Sequence, residues 1–121
     1  MSSLKEKLLA KNNRKYGTVT DSDGDEWTIR SLTEKEKSDQ DLLTINRKNG
    51  KIAWDKTAEA KLRFIAKCLV DPETSEPVIP ESEWQSLEGI RSEITSEIYS
   101  KALKMNGYED DEIEERLGES S

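Results

Sequence analysis

The residues of this 121-residue chain that could hold a metal ion are concentrated in one stretch, Asp21-Ser22-Asp23-Gly24-Asp25. Oxygen ligands that alternate with spacer residues are typical of calcium loops. A calcium loop that began at Asp21 would have Gly at its position 6 and a bidentate Glu at its position 12. This chain has Glu26 and Leu32 at those places. We therefore interpret the stretch as the polar turn of a hairpin, with a weak cation site as the alternative.

Residues that could carry out catalysis are scarce. The chain has no histidine, so the usual general base near neutral pH is absent. The single cysteine, Cys68, cannot form an internal disulfide and lies in an apolar helical stripe, where we expect a buried thiol rather than a nucleophile. No spacing ties a serine, threonine or lysine nucleophile to a base, and the glycines are too scattered for a phosphate loop. We expect no enzyme, no cofactor and no metal.

The composition indicates one small, polar domain. Hydrophobic residues make up 32% of the chain and charged residues 37%, and a chain of this length buries roughly 65% of its unfolded surface, enough for one modest core. Neither a secretory signal nor a run of about 20 apolar residues is apparent. The net charge of −7 argues against binding of nucleic acid by a basic surface.

The distribution of charge divides the chain into three parts. Residues 1–15 form a basic arm or short helix, in which Ser3 and Glu6 have the spacing of a capping box. Residues 16–107 form a single helical domain. Residues 108–121 form an acidic C-terminal tail, where seven acids and Arg116 give a net charge of −6 and where we expect a helix only against a partner.

Two long amphipathic helices are predicted to form the core, one over residues 57–70 and one over residues 87–105. Their apolar residues recur with a period of about 3.6 residues. Two stripes of this length can bury each other. The stripe residues are Ala58, Leu62, Ile65, Ala66 and Leu69 in the first helix, and Leu87, Ile90, Ile94, Ile98, Ala102 and Met105 in the second.

Local signals predict the remaining elements. Residues 16–30 favour a β-hairpin, and Thr33 with Glu36 forms a capping box that begins a polar helix touching the core only through its end, at Leu42, Leu43 and Ile45. Asp55 is a good cap for the central helix. We expect Gly89 to separate a short turn containing Trp84 from the last helix, and Asn106-Gly107 to end that helix. The predicted fold is mainly α, of the α+β type, with an N-terminal β-hairpin.

Three stretches of the chain together resemble a known protein family. Residues 27–33 (WTIRSLT) form a strand that runs into a capped helix. Residues 65–72 (IAKCLVDP) end a helix at an Asp-Pro pair, and residues 102–107 (ALKMNG) end the next helix. In this order and spacing they resemble the tail assembly chaperones of long-tailed bacteriophages, including prophage copies. The resemblance covers residues 16–107.

The resemblance implies a function without catalytic residues. Members of that family are small, largely helical, acidic proteins that bind the long helical tape measure protein and keep it soluble while tail tube subunits polymerise around it. They act in the cytoplasm of the infected bacterium and are absent from the finished particle. The expected partner is therefore a tape measure protein, with the tail tube protein and a second copy of this chain as further options.

A chaperone for a long helix needs an apolar groove and a charged exterior. We expect the two predicted helices to form that groove, with Trp54 or Trp84 at its rim. The predicted partner-binding residues are Trp54, Phe64, Trp84, Tyr99 and Leu103.

Two other classes of protein remain as alternatives. A structural connector or minor component of a phage particle would share these helices, but it would form a closed oligomer and stay in the particle. A small regulatory binding module would instead recognise one folded host target.

Overall fold

The computed structural model describes residues 3–11, 14–43 and 57–108. The predicted cap at Asp55, the predicted rim residue Trp54 and the apolar residue Ile45 lie outside these ranges. Among the described residues, none of the helices combines the length and the apolar character that a bilayer span requires. In chain order the elements are α1 (Leu4–Leu9), β1 (Tyr16–Thr20), β2 (Glu26–Arg30), α2 (Glu34–Asp41), α3 (Thr57–Cys68), β3 (Leu69–Val70), a 3₁₀ segment (Glu81–Gly89) and α4 (Ser92–Met105).

The β-hairpin is confirmed and belongs to a three-stranded antiparallel sheet of order β1-β2-β3. The third strand was not predicted, because the sequence favours a helix through Val70. That expectation is wrong at its last two residues: Leu69 pairs with Ile29, and Val70 pairs with Thr28. Pro72 prevents the helix from continuing. The free edge of β2 supplies the backbone partners that the two residues then need.

The predicted helix over residues 87–105 is shorter than expected. Residues 81–89 form the 3₁₀ segment, Ile90 and Arg91 are extended, and α4 begins at Ser92. The expectation that Gly89 separates the Trp84 turn from the long helix is confirmed.

The end of α4 is confirmed in atomic detail. Gly107 has a φ of +86°, and its N–H donates to the Lys104 carbonyl at 3.1 Å. The Tyr108 N–H donates to the Leu103 carbonyl, also at 3.1 Å. These two bonds form a Schellman motif, which satisfies carbonyls that the end of a helix leaves without partners.

The core lies where α3 and α4 pack on each other and on the sheet. Phe64 is at its centre, with its ring in edge-to-face contact with Tyr99 at 5.6 Å and with Tyr108 at 6.4 Å between ring centroids. Tyr108 is buried here, although the sequence places it at the start of the acidic segment. The mutual burial of the two predicted apolar stripes is therefore confirmed for most of their residues, but Ala58 and Ile90 are exposed.

Helix α2 begins with the predicted capping box of Thr33 and Glu36. Its attachment to the core differs from the prediction. Leu42 is largely exposed, whereas Gln40 is buried. The Gln40 amide donates to the Ala60 carbonyl and accepts from Lys67 Nζ at 2.9 Å. A buried amide with both ends hydrogen-bonded therefore anchors this polar helix on α3.

Candidate functional site: an apolar groove beside α3

A shallow groove of about 280 Å³ runs beside the first half of α3. The 3₁₀ segment and the first turn of α4 form its other side. The break between these two elements lies at the groove, where Ile90 forms part of its lining. The residues that line it are Ala58, Lys61, Leu62, Leu87, Glu88, Ile90, Ser92 and Thr95.

The groove has an apolar floor and an exposed apolar wall. Leu62 and Leu87 are buried and belong to the core cluster. Ile90 stands at the edge with 42% of its surface exposed, which makes it one of the exposed large apolar residues of the described chain. An apolar side chain of a partner could therefore pack against Ile90 and against the buried floor of the groove.

The rim of the groove is polar. Lys61 Nζ donates to Ser96 Oγ at 2.8 Å and lies 5.8 Å from the centroid of the Tyr99 ring. Burial lowers the pKa of Lys61. Glu88 on the opposite side is exposed. One cation and one anion therefore flank the apolar floor, an arrangement that can orient a partner through charge as well as through packing.

Of the predicted partner-binding residues, the four that the structure describes do not line this groove. Phe64, Tyr99 and Leu103 are buried in the core, with exposed fractions of 5% or less. Trp84 is partly buried, and the Arg63 guanidinium lies 5.8 Å from the centroid of its ring. Contact of these residues with a partner stays a prediction, as does that of Trp54, which lies outside the described residues.

The sequence pattern did not predict that Ile90 is exposed. Its spacing places it on the apolar stripe of a continuous helix, which predicts burial. The signal that could have identified it is the neighbouring Gly89, because a residue just beyond a helix break no longer follows the helical period.

The acidic residues of the hairpin turn make hydrogen bonds and an ion pair within the chain. The carboxylates of Asp21, Asp23 and Asp25 have oxygens within 4.8 Å of one another. However, Asp21 accepts hydrogen bonds from two backbone N–H groups, at 2.9 and 3.0 Å, and from Trp27 Nε1 at 2.8 Å. Asp23 pairs with Arg91 at 2.7 Å. The predicted hairpin turn is confirmed, since these bonds hold the turn closed and tie it to the start of α4; the absence of a metal stays a prediction.

A second depression, of about 310 Å³, lies between α2 and α3 and is lined mostly by charged residues. Its charged side chains have partners within the chain. Glu81 lies 3.5 Å from both Arg63 Nη1 and Lys67 Nζ, and Glu36 pairs with Arg14 at 2.8 Å. We assign this depression to the attachment of α2, because its ionic groups already have partners within the chain.

Cys68 is the buried thiol that the sequence predicts. Burial raises the pKa of this thiol to about 12. A thiol that stays protonated and inaccessible is a poor nucleophile.

The structure is similar to that of the bacteriophage HK97 tail assembly chaperone. The TM-score is 0.60, and the match covers 85% of this chain and 98% of that chain at 16% sequence identity. No protein-family model matches the chain, and no curated protein matches it. The two proteins share a fold, as the resemblance of the three sequence stretches implied.

Proposed function

We propose that this chain is a non-enzymatic phage tail assembly chaperone that binds a long helical tape measure protein and keeps it soluble while the tail tube assembles. The observation that carries the proposal is the fold shared with a tail assembly chaperone over nearly the whole of that protein. The chaperone would act in the cytoplasm of the host bacterium and be absent from the mature virion.

The groove supplies the binding surface in this proposal. An amphipathic helix binds a groove through apolar residues spaced three or four positions apart. One such residue would rest on Leu62 and Leu87, and the next would pack against Ile90. Lys61 and Glu88 would pair with charges that flank the apolar face of the partner helix. The high fraction of charged residues elsewhere would keep the complex in solution.

The test is co-expression with a tape measure protein encoded beside this chain, followed by size-exclusion chromatography with light scattering. We expect a partner that is insoluble alone to elute as a soluble complex, whose mass gives the number of copies bound. A partner that stays insoluble, while this chain elutes alone as a closed ring, would contradict the proposal and favour a structural connector.

The groove is tested separately with Ile90→Asp in the same assay. We expect this change to reduce recovery of the complex at least tenfold, since it puts a charge on the apolar wall. The matched control is Val78→Asp, at a residue that is 47% exposed and does not line the groove. Equal recovery with both variants would place the contact elsewhere on the chain.

A further inference from the structure

Helix α1 carries an apolar edge that no described residue covers. Ser3 caps the helix by accepting a hydrogen bond from the Glu6 backbone N–H at 3.1 Å, as its spacing predicts, but no residue of the helix is buried. Its leucines are the most exposed large apolar residues of the described chain, at 83% for Leu4, 72% for Leu8 and 62% for Leu9.

A helix of this kind needs a partner. It has six residues, whereas isolated helices shorter than about 12–15 residues are marginal in water. Contiguous exposed apolar residues commonly mark a contact surface. The same helix and the residue pair that follows it carry Lys5, Lys7 and Lys11 against Glu6 alone. The chemistry of the missing partner is therefore apolar and acidic.

Residues 109–121 have this chemistry. Their seven acids and one base give a net charge of −6, and Ile113 and Leu117 stand four positions apart, the spacing of neighbours on one face of a helix. Residues 44–56, the other long segment outside the described ranges, carry four bases against one acid and would be repelled by the lysines of α1.

Helix α2 holds the chain at two points, one that follows α1 and one that precedes residues 109–121. Arg14, which follows α1, holds Glu36 through two hydrogen bonds of 2.8 and 3.1 Å. Tyr108 hydrogen-bonds to Asp41 at 3.2 Å, and Lys37 Nζ lies 4.8 Å from its ring centroid. Glu36 and Asp41 are about 7.5 Å apart along the helix axis. An extended segment from 109 to 121 spans about 43 Å, several times this separation.

We propose that residues 109–121 dock on α1 of the same chain. Ile113 and Leu117 cover the edge formed by Leu4 and Leu8, and the carboxylates lie beside the lysines. Attachment through α2 gives an effective concentration on the order of millimolar, which favours this contact over a second copy at micromolar concentration. This contact does not depend on the function proposed above.

The test measures paramagnetic relaxation enhancement in the full chain, which detects amides close to a nitroxide. A nitroxide is attached at Ser120→Cys, and Cys68 stays unlabelled in the folded protein because its thiol is buried and its pKa is raised to about 12. In a ¹⁵N-labelled sample at micromolar concentration, we expect the amide peaks of residues 4–9 to lose intensity and to recover when the nitroxide is reduced.

Two paired variants test the chemistry. Lys5→Glu with Lys7→Glu should abolish the loss of intensity, whereas Lys35→Glu with Lys101→Glu, the same change of charge on exposed lysines of α2 and α4, should preserve it. A mixture of nitroxide-labelled ¹⁴N chain and unlabelled ¹⁵N chain identifies a second copy as the occupant. Loss of intensity in that mixture, or no loss in the first sample, would overturn the proposal.

Discussion

The side chain of Asp21 holds the hairpin turn closed. It accepts a hydrogen bond from the indole of Trp27 and two from backbone N–H groups of the turn. The Trp27 bond is the main cause that holds the pKa of Asp21 below its usual value; burial opposes it, and the backbone bonds add to it. A carboxyl whose pKa is lowered by folding stabilises the folded state above its unfolded pKa, and this contribution is lost as pH falls through the folded pKa.

Asp21→Asn should therefore lower stability at pH 7 by an amount that disappears in acid. The amide group would place an N–H against the Trp27 indole N–H, so one of the bonds cannot form. Urea denaturation of both proteins between pH 2.5 and pH 7 measures the difference. Asp25→Asn, an exposed residue of the same turn, is the control and should change stability little. A difference for Asp21→Asn that stays constant across this range would contradict the role assigned to its carboxylate.

The contact between the hairpin and α4 depends on one glycine of β1. Gly17 pairs with Ile29 across the sheet, and a Cβ built on it would lie 3.0 Å from Met105 Sδ. The absence of a side chain thus lets the strand approach the helix closely. Strand propensity alone would favour a larger residue here, so the glycine reflects packing between elements.

Gly17→Val should lower the free energy of unfolding by about 1–3 kcal/mol, the usual cost of overpacking. Gly89→Ala is the control, because a Cβ there has no heavy atom within 4 Å, and we expect a change within about 0.5 kcal/mol. Both are measured by chemical denaturation followed by tryptophan fluorescence. A stabilising Gly17→Val would mean that Met105 moves aside and that β1 and α4 are not held at a fixed distance.

At the scale of the whole molecule, the packed interior and the apolar wall of the groove consist of different residues. Phe64 is 1% exposed and contacts the aromatic rings of Tyr99 in α4 and of Tyr108, which follows Gly107. Ile90 lies on the same predicted stripes yet is 42% exposed. Stability and partner binding should therefore respond to different residues.

Phe64→Ala should cost about 3–5 kcal/mol, a large part of the 5–15 kcal/mol that is typical of a domain. Ile90→Ala should cost about 0.5 kcal/mol or less, as exposed substitutions usually do. Thermal and urea unfolding monitored by circular dichroism would compare them. If Phe64→Ala unfolded at the same urea concentration as the unsubstituted chain, the interior would not be a single cooperative core.

The sequence by itself determined the local elements of this protein. Contacts between residues a few positions apart determine these elements. They are the hairpin, the capping box at Thr33 and Glu36, the body of α3 and the end of α4 at Gly107. Such contacts are encoded in residue types and spacing. Three short stretches also resemble tail assembly chaperones, and the fold that this chain shares with one solved chaperone agrees with that resemblance.

Only the tertiary structure decided which apolar residues are inside and which are exposed. β3 exists because β2 offers it a free edge, and that pairing joins Val70 to Thr28 from a distant part of the chain. α2 is anchored by Gln40, a residue whose polarity predicts exposure. Ile90 is exposed at the place where the chain breaks its helical period after Gly89, whereas Phe64 is buried because Tyr99 and Tyr108 pack against it. Periodicity places a residue on a face, but the elements that pack against that face determine whether it remains accessible.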